Sequence, residues 1–463
     1  MGAGSFICGV VEGFYGRPWS AAQRRQLFAW MRSWGMNTYL YAPKDDLKHR
    51  LLWRELYPQN EADELEALIR DCQSQGLNFI YAIAPGLDIS CSSRRDAAAL
   101  RKKVSQLLEL GCQQFAILFD DIQPVLSPED AKAFESVASA QSFVANNLLQ
   151  FLRGNVAAAN LLFCPTPYCR SMSGPPRHSD YLRQIGKLLE SSIRIFWTGP
   201  DIISETITVE SIRELQRVIR RKPLLWDNLH ANDYDQRRVY LGPYAGRPLE
   251  LRDEVCGILS NPNCEFEANY VPLRTLAMYA DADADWDPRA AYQSALKGWL
   301  LSWKTHKTGG ISMHELELFC DCFYLPFQSG SRAEAFLGDL QHLLKIPPGD
   351  WGAAGRRFEQ LCSDLDGLFD KMTALKNRDL LYALYRHVWE LREEVMLLCK
   401  YLSWRKAKSG ARPRYRDAGY RSGIFRGGLA AQLQRLLPMD EEGCFRHPSL
   451  SVAKNKSNGS RAL

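Results

Sequence analysis

Short apolar runs punctuate roughly the first 280 residues: FICGVV, NTYLYAP, NFIYAIAPG, QQFAILFDD, NLLFCPT, IRIFWTG, PLLWDN and, with a weaker pattern, EFEANYV. Between most of them lie stretches with helical periodicity, such as SAAQRRQLFAWMRSWG and EADELEALIRDCQSQG. Strands apolar on both faces and joined by amphipathic helices belong to a parallel sheet covered on both sides. Eight such units in this length predict an α/β fold, a (β/α)8 TIM-type barrel, with an open doubly wound sheet as the competing arrangement. The first turn lacks the GxGxxG fingerprint, and GxxxxGK followed by Ser or Thr occurs nowhere, so nothing specific favours the open sheet.

After Tyr279 the acidic break DADADWDP changes the pattern, and from Arg289 onward only helical periodicity is visible. Phe358, Leu361, Leu365, Leu368, Met372 and Leu375 step alternately by threes and fours. Leu381, Leu384, Val388, Leu391, Val395, Leu398 and Leu402 do the same beyond the turn KNRD. Two such seams predict an antiparallel helical hairpin, packed within one bundle or also recruiting a second subunit. The expected division is a barrel over residues 1–285, an all-α helical stalk over 286–442, and a polar, disordered tail over 443–463.

Composition changes this picture little. Of 463 residues 46% are hydrophobic and 24% charged, which is ordinary globular usage. The net charge of +5 is small and dispersed, so neither nucleic acid nor a membrane is expected as a partner. The densest basic stretch, RKAKSGARPRYRDAGYR from Arg405, reads as a solvated loop. Thirteen cysteines, an odd number set in apolar runs, together with the absence of a cleavable leader or a span-length apolar run, predict free thiols in the cytoplasm or nucleus. The sequons NKS and NGS would then go unused. Phe6 in MGAGSF stands where a myristoylation signal wants Ser or Thr, which argues against a lipid anchor.

In a barrel the C-terminal ends of the strands form the active face. The residues just past the predicted strands are Glu12 to Tyr15, Lys44 to Asp46, Asp88, Asp120 with Asp121, Thr166 to Tyr168, Trp197 to Gly199, and WDNLHANDYD. Carboxylates and aromatics gathered at one end of apolar strands predict a functional cleft. Asp120 and Asp121 should repel one another and raise at least one pKa, which suits a general acid beside an ionised neighbour. An aspartate capping the following helix is the competing reading. Adjacent strand residues point to opposite faces, so both reach one site only if the chain turns out at the strand end. Two adjacent carboxylates are also awkwardly placed to attack a glycosidic bond from opposite sides across about 5 Å. They suit a substrate that supplies its own nucleophile, as a 2-acetamido sugar can. Eight histidines without HExxH, of which only His230 stands beside the cleft, and the spacing Cys320-Asp-Cys322 argue against a catalytic metal, and no cofactor is expected. No GxSxG supports a serine nucleophile.

The motifs GVVEGFYGRPW, YLYAPKDD, IYAIAPGLDI, LFDDI, FCPTPYC, WDNLHANDYDQ and NPNCEFEANYV, in this order, resemble the catalytic domain of the protein O-GlcNAcase family from about Phe6 to about Tyr279. CDCFYLPF and FRGGLAAQLQRLLP resemble that family's stalk. The resemblance implies a retaining exo-β-N-acetylglucosaminidase that removes O-linked GlcNAc from Ser and Thr of intracellular proteins through an oxazoline. Asp120 would orient the 2-acetamido group, and Asp121 would protonate the leaving oxygen and then activate water. The Gly13 backbone would approach the sugar. Lys44 and Asn261 would hold hydroxyls, and Asp233 the 4- and 6-hydroxyls. Tyr168 and Trp226 would line the acetamide pocket, Asn228 would position the reacting end, and Tyr234 would pack beside the ring. Glu12, Arg17 and Trp19 would support the first loop. O-GlcNAc-modified proteins as substrates and a homodimer through the stalk are also implied. The family's long acidic insert and C-terminal acetyltransferase-like domain find no counterpart, and Gly423-Ile424 stands where a Trp is expected. Those departures leave an alternative, a catalytically weak paralogue that binds O-GlcNAc proteins or dimerises with a full-length enzyme. A hyaluronidase- or chitinase-type endo-enzyme is a further alternative, which Asp233 would block.

Overall fold

Strand β4, Gln114–Leu118, shows how the apolar runs are spent. Ala116 and Leu118 join the core of the barrel interior, while Phe115 and Ile117 are equally buried on the outer side. The same alternation holds in β3, Asn78–Ile83, where Ile80 and Ala82 face inward. The computed structural model describes residues 6–306, 309–407, 414–416, 427–437, 439–440 and 442–446. The remaining strands are β1 Ile7–Glu12, β2 Thr38–Tyr41, β5 Leu161–Cys164, β6 Arg194–Trp197, β7 Leu224–Asp227 and β8 Gly257–Ser260. All eight are parallel and close in chain order into a barrel, with Glu12 opposite Tyr41 and Val10 opposite Ser260 at the seam.

The eighth strand is GILS, not EFEANYV. The expected run instead forms the 3-10 turn Phe266–Asn269 and opens the helix Tyr270–Asp281. Phe266 packs its ring 5.3 Å from Trp19 and 5.0 Å from Trp30, so its apolar character seals the first loop. The predicted helices appear at Ala21–Ser33 and Gln59–Ser74. Ser20 starts the first with a capping box, accepting from Gln23 N at 3.3 Å while its own N–H donates to Gln23 Oε1 at 2.9 Å.

The chain separates into two compact units. One holds the barrel and comprises the chain up to Tyr234, Tyr244–Phe266 and Pro272–Pro288. The other comprises Asp235–Pro243, Glu267–Val271 and the chain from Arg289 on, with a core of its own. Its helices Gly352–Met372 and Arg378–Lys406 form the expected hairpin, and the two seams are buried except for Leu361, which is partly so. Helical periodicity misses one feature of this unit. Arg414–Tyr415 pairs antiparallel with Phe445–Arg446, and Phe445 is buried against Tyr415 and Tyr401. Phe445 and Arg446, within the expected polar tail, are therefore part of this pairing, while residues 447–463 and Gly423-Ile424 lie outside the described residues. Arg405, read as the start of a solvated loop, is buried in the last turn of its helix and donates to Leu343 O at 2.9 Å. All thirteen cysteines are free thiols, and among the described residues no helix is long and apolar enough to cross a membrane.

Candidate active site

The inward parity set inside the barrel continues past the strand ends. Val11 leads to Gly13, Ala42 to Lys44, Leu118 to Asp120, Trp226 to Asn228 and Leu259 to Asn261, each two residues on. A period of two thus carries five side-chain positions from apolar core to polar site without a change of direction. These five, together with Asp121, Tyr168, Trp226, Asp233 and Tyr234, line one cavity of about 530 Å³. All ten residues to which the resemblance gives a role on the sugar converge there. Its volume lies within the range of small-ligand sites.

Asp120 is buried, and the Lys44 ammonium donates to its Oδ2. Among the described residues its Oδ1 has no hydrogen-bond partner. Burial pushes this carboxyl up, but the charge and hydrogen bond of Lys44, helped by Arg50, outweigh it and hold the group below the usual carboxylate range. The rise expected from like-charge repulsion therefore does not occur at Asp120, because a cation was built in beside it. Asp121 is solvent-facing. By strand parity it would point away from the cavity, but its backbone is left-handed, with φ of 54°. This conformation costs a non-glycine residue about 1–3 kcal/mol and needs external support. Two tyrosines provide it: Tyr15 Oη donates to Asp121 Oδ2 at 2.9 Å and Tyr168 Oη to Oδ1 at 2.8 Å. Neither aspartate caps a helix; the next one begins at Asp130.

On the opposite wall the Trp226 indole N–H donates to Asn228 Oδ1 at 3.1 Å, which also accepts from Asn261 Nδ2 at 3.0 Å. Asn228 Nδ2 donates to Ile202 O at 2.8 Å. A Cβ at Gly13 would lie 2.3 Å from Trp226 Cζ2, so this glycine is demanded by the indole that crosses it. Asp233 is half-buried and accepts from Tyr15 N at 2.9 Å; burial nevertheless keeps its carboxyl above the ordinary range. Tyr234 stands exposed at the mouth.

Some cleft residues turn out to build loops. Asp45 accepts from Gly16 N at 2.5 Å, Asp46 from the Tyr41 and Tyr57 hydroxyls at 2.7 Å each, and Asp88 from Trp53 Nε1 at 2.8 Å. Glu12 is fully buried and accepts from Trp19 N at 3.0 Å and Arg24 Nε at 2.9 Å, supporting the first loop as expected; Arg17 is exposed. Below the cavity, Asp227 holds Arg247 through Nε at 2.8 Å and Nη2 at 2.7 Å, both side chains buried. Tyr15 and Thr198 stood in the strand-end segments of the sequence reading without a role of their own, and the segment Asp201 to Ile203 was not singled out there; all of them line the cavity. Thr198 continues the inward parity of Phe196. Among the described residues no histidine lines the cavity, and the one thiol that does, Cys164, is driven well up by burial and stays protonated.

Residues 8–307 match the model of the family described as NAGidase, beta-N-acetylglucosaminidase. The chain belongs to the beta-N-acetylglucosaminidase family. It is thus a glycoside hydrolase, and the cavity at the strand ends is the place in this beta-N-acetylglucosaminidase where a sugar can be enclosed. The chain is similar to the protein O-GlcNAcase of Rattus norvegicus, at 30% identity over 95% of this chain and 70% of that protein. It is similar to the enzyme of the same name from Mus musculus, at 29% identity and the same coverage. The first alignment runs over 646 positions, more than this chain possesses, so those relatives carry segments that are missing here. Among solved structures, a mutant of the O-GlcNAc hydrolase of Thermobaculum terrenum is similar at a TM-score of 0.74 and 28% identity, covering 86% of this chain and 82% of that one.

Proposed function

We propose that this β-N-acetylglucosaminidase is a retaining exo-enzyme that removes O-linked GlcNAc from Ser and Thr of proteins, with the substrate's own acetamide as nucleophile. The observation that carries the reading is the unequal pair: Asp120 buried on Lys44 with Oδ1 unpartnered, next to a solvent-facing Asp121 held by two tyrosines. Asp120, ionised, accepts the acetamide N–H and turns the acetamide oxygen towards the anomeric carbon. That oxygen attacks C1 while Asp121 gives its proton to the departing Ser or Thr oxygen, so the glycosidic bond breaks as the oxazoline ring closes in its N-protonated form, the N–H still held by Asp120. Asp121, now a carboxylate, takes a proton from water as the water attacks C1 and reopens the ring. Two inversions at C1 return the original configuration. Substrate assistance of this kind is a known exception to the two-carboxylate scheme. Lys44, Asn261 and Asp233 hold hydroxyls, Asn228 and Tyr234 position the ring, and Tyr168 and Trp226 enclose the acetamide methyl over Gly13.

The names of the relatives support glycosylated proteins as substrates, and free thiols at all thirteen cysteines support a reducing compartment, cytoplasm or nucleus. A homodimer through the helical unit is supported by Tyr382, Tyr385, Trp389 and Met396, which lie exposed at helical spacing along Arg378–Lys406. The deciding experiment is release of a fluorescent phenol from its β-N-acetylglucosaminide by the parent chain, Asp120→Asn and Asp121→Ala. Turnover by the parent and its loss in Asp120→Asn are expected, with Asp121→Ala losing least on leaving groups that need no proton. Equal losses in Asp121→Ala for good and poor leaving groups would overturn the acid assignment. A folded parent that binds the sugar without turnover would replace the enzyme reading by that of a binding protein.

A further inference from the structure

The cavity has a floor and a rim of different exposure. Lys44, Asp120, Tyr168, Trp226, Asn228 and Asn261 are only 5 to 8% exposed. Tyr15, Ile202 and Tyr234 are 42, 47 and 50% exposed, and Asp201 beside Ile202 is exposed as well. A cavity that encloses a terminal sugar on its floor leaves the group attached to that sugar nowhere to lie but across the rim.

Asp201 is held there by backbone, not by its carboxylate. Gly199 has φ of 105°, and a Cβ on it would meet Ser204 Oγ at 2.5 Å. Asp201 N donates to Ser204 Oγ at 3.1 Å, and Asp201 O accepts from Thr198 Oγ1 at 2.7 Å. Ser204 O is in turn held by Arg247 Nη2 at 2.9 Å. The carboxylate itself carries no ion pair and accepts no hydrogen bond among the described residues. Its charge stands in a one-sided setting. Among the described residues the only cation lining the cavity is Lys44, and it is spent on Asp120, whereas Asp201 and Asp233 add carboxyl groups beside the acid Asp121. Arg50 is buried behind the Tyr15 ring at 5.7 Å and donates to the Asp121 carbonyl at 3.4 Å, and Arg170, whose N–H donates to Gly199 O, stands 4.0 Å from Glu214. A chain of net charge +5 thus lines its substrate cavity with more carboxyl groups than cations.

We propose that Asp201 is a specificity residue for the polypeptide that bears the sugar, favouring chains with Lys or Arg close to the glycosylated Ser or Thr. It disfavours chains with acidic or phosphorylated neighbours there. The proposal rests on the reading that glycosylated proteins are the substrates. Because the loop is already fixed, only the incoming basic side chain has to be ordered. An ion pair at a wet rim is worth a preference of about two- to five-fold, and it weakens as salt rises.

The test uses two glycopeptides that differ only in carrying Lys or Glu on both sides of the glycosylated Ser. The readout is the ratio of their kcat/KM values for the parent, Asp201→Asn and Asp201→Lys, at low and high salt. The ratio is independent of any change in basal rate. The parent is expected to prefer the Lys peptide at low salt, Asp201→Asn to lose most of that preference, and Asp201→Lys to reverse it. No preference in the parent, or the same preference in Asp201→Asn, overturns the proposal. Hydrolysis of the phenol glycoside without hydrolysis of either glycopeptide overturns it together with the protein-substrate reading. Absence of all turnover by the parent instead removes the enzyme reading on which both stand.

Discussion

Lys44 and Asp120 form an ion pair at the floor of the cavity, 76 residues apart in the chain and both almost wholly excluded from water. The pair explains how a buried carboxylate stays ionised directly beside a second one. Replacing Lys44 by Met leaves Asp120 buried without its cation, a change that typically costs several kcal/mol. We expect kcat/KM to fall about 100-fold at neutral pH in Lys44→Met. Part of the loss should return as pH rises, because the acid limb of the profile moves upward with the pKa of Asp120. An acid limb identical to that of the parent would show that Lys44 does not govern this charge.

Gly13→Ala tests the crossing of the first loop by Trp226. The added Cβ meets the indole at 2.3 Å, so the ring must move, with an overpacking cost of about 1–3 kcal/mol. We expect a folded protein whose kcat/KM falls by about ten-fold or more. In the Gly13→Ala background, Trp226→Phe should recover part of the loss, measured as a coupling in a double-mutant cycle. Strictly additive effects would mean that the glycine is needed for another reason.

Asp233 titrates above the usual carboxylate range because it is half-buried. As pH falls it becomes protonated earlier than an ordinary aspartate and ceases to be a charged acceptor for sugar hydroxyls. KM is therefore expected to rise on the acid side in the parent. Asp233→Asn should remove that dependence and lower kcat/KM by about 10- to 100-fold. The cooperative melt should persist, and its loss would mark Asp233 as a structural residue.

His49 offers a check on stability. Its ring is fully buried, with Nδ1 2.7 Å from Ala82 O, and burial together with the Lys44 charge lowers its pKa to about 4 from 6.5. Between those values the unfolded chain binds more protons than the folded one, so stability rises with pH across the window and is lost as pH falls towards 4. His49→Gln cannot titrate. Its Tm should fall less than that of the parent when pH is lowered from 6.5 to 4. Parallel Tm profiles would exclude His49 as a source of acid sensitivity.

Much of the site was legible from local pattern. The strand runs are short and apolar on both faces, and the step of two from inner core to polar end reaches Gly13, Lys44, Asp120 and Asn228, whereas Asn261 came only from the motif resemblance because β8 was not read as a strand. Strand β8 is as long as β2, β5, β6 and β7, and it escaped because the aromatic run beyond it offered a stronger but misleading signal. Phe445 escaped because a two-residue pairing has no period at all.

By itself the sequence determined seven of the eight strands and the helical hairpin, through hydrophobic periodicity, while the ten residues that line one cavity were named by the order of motifs that resemble a known family. Only the tertiary structure decided what state those side chains are in. The charge of Asp120 depends on Lys44, the orientation of Asp121 on Tyr15 and Tyr168, and the shape of the acetamide wall on the passage of Trp226 over Gly13. Each is a contact between residues distant in sequence. Electrostatic and packing energies fall off with distance in space, and strand periodicity carries no information about which distant loops come within hydrogen-bonding range.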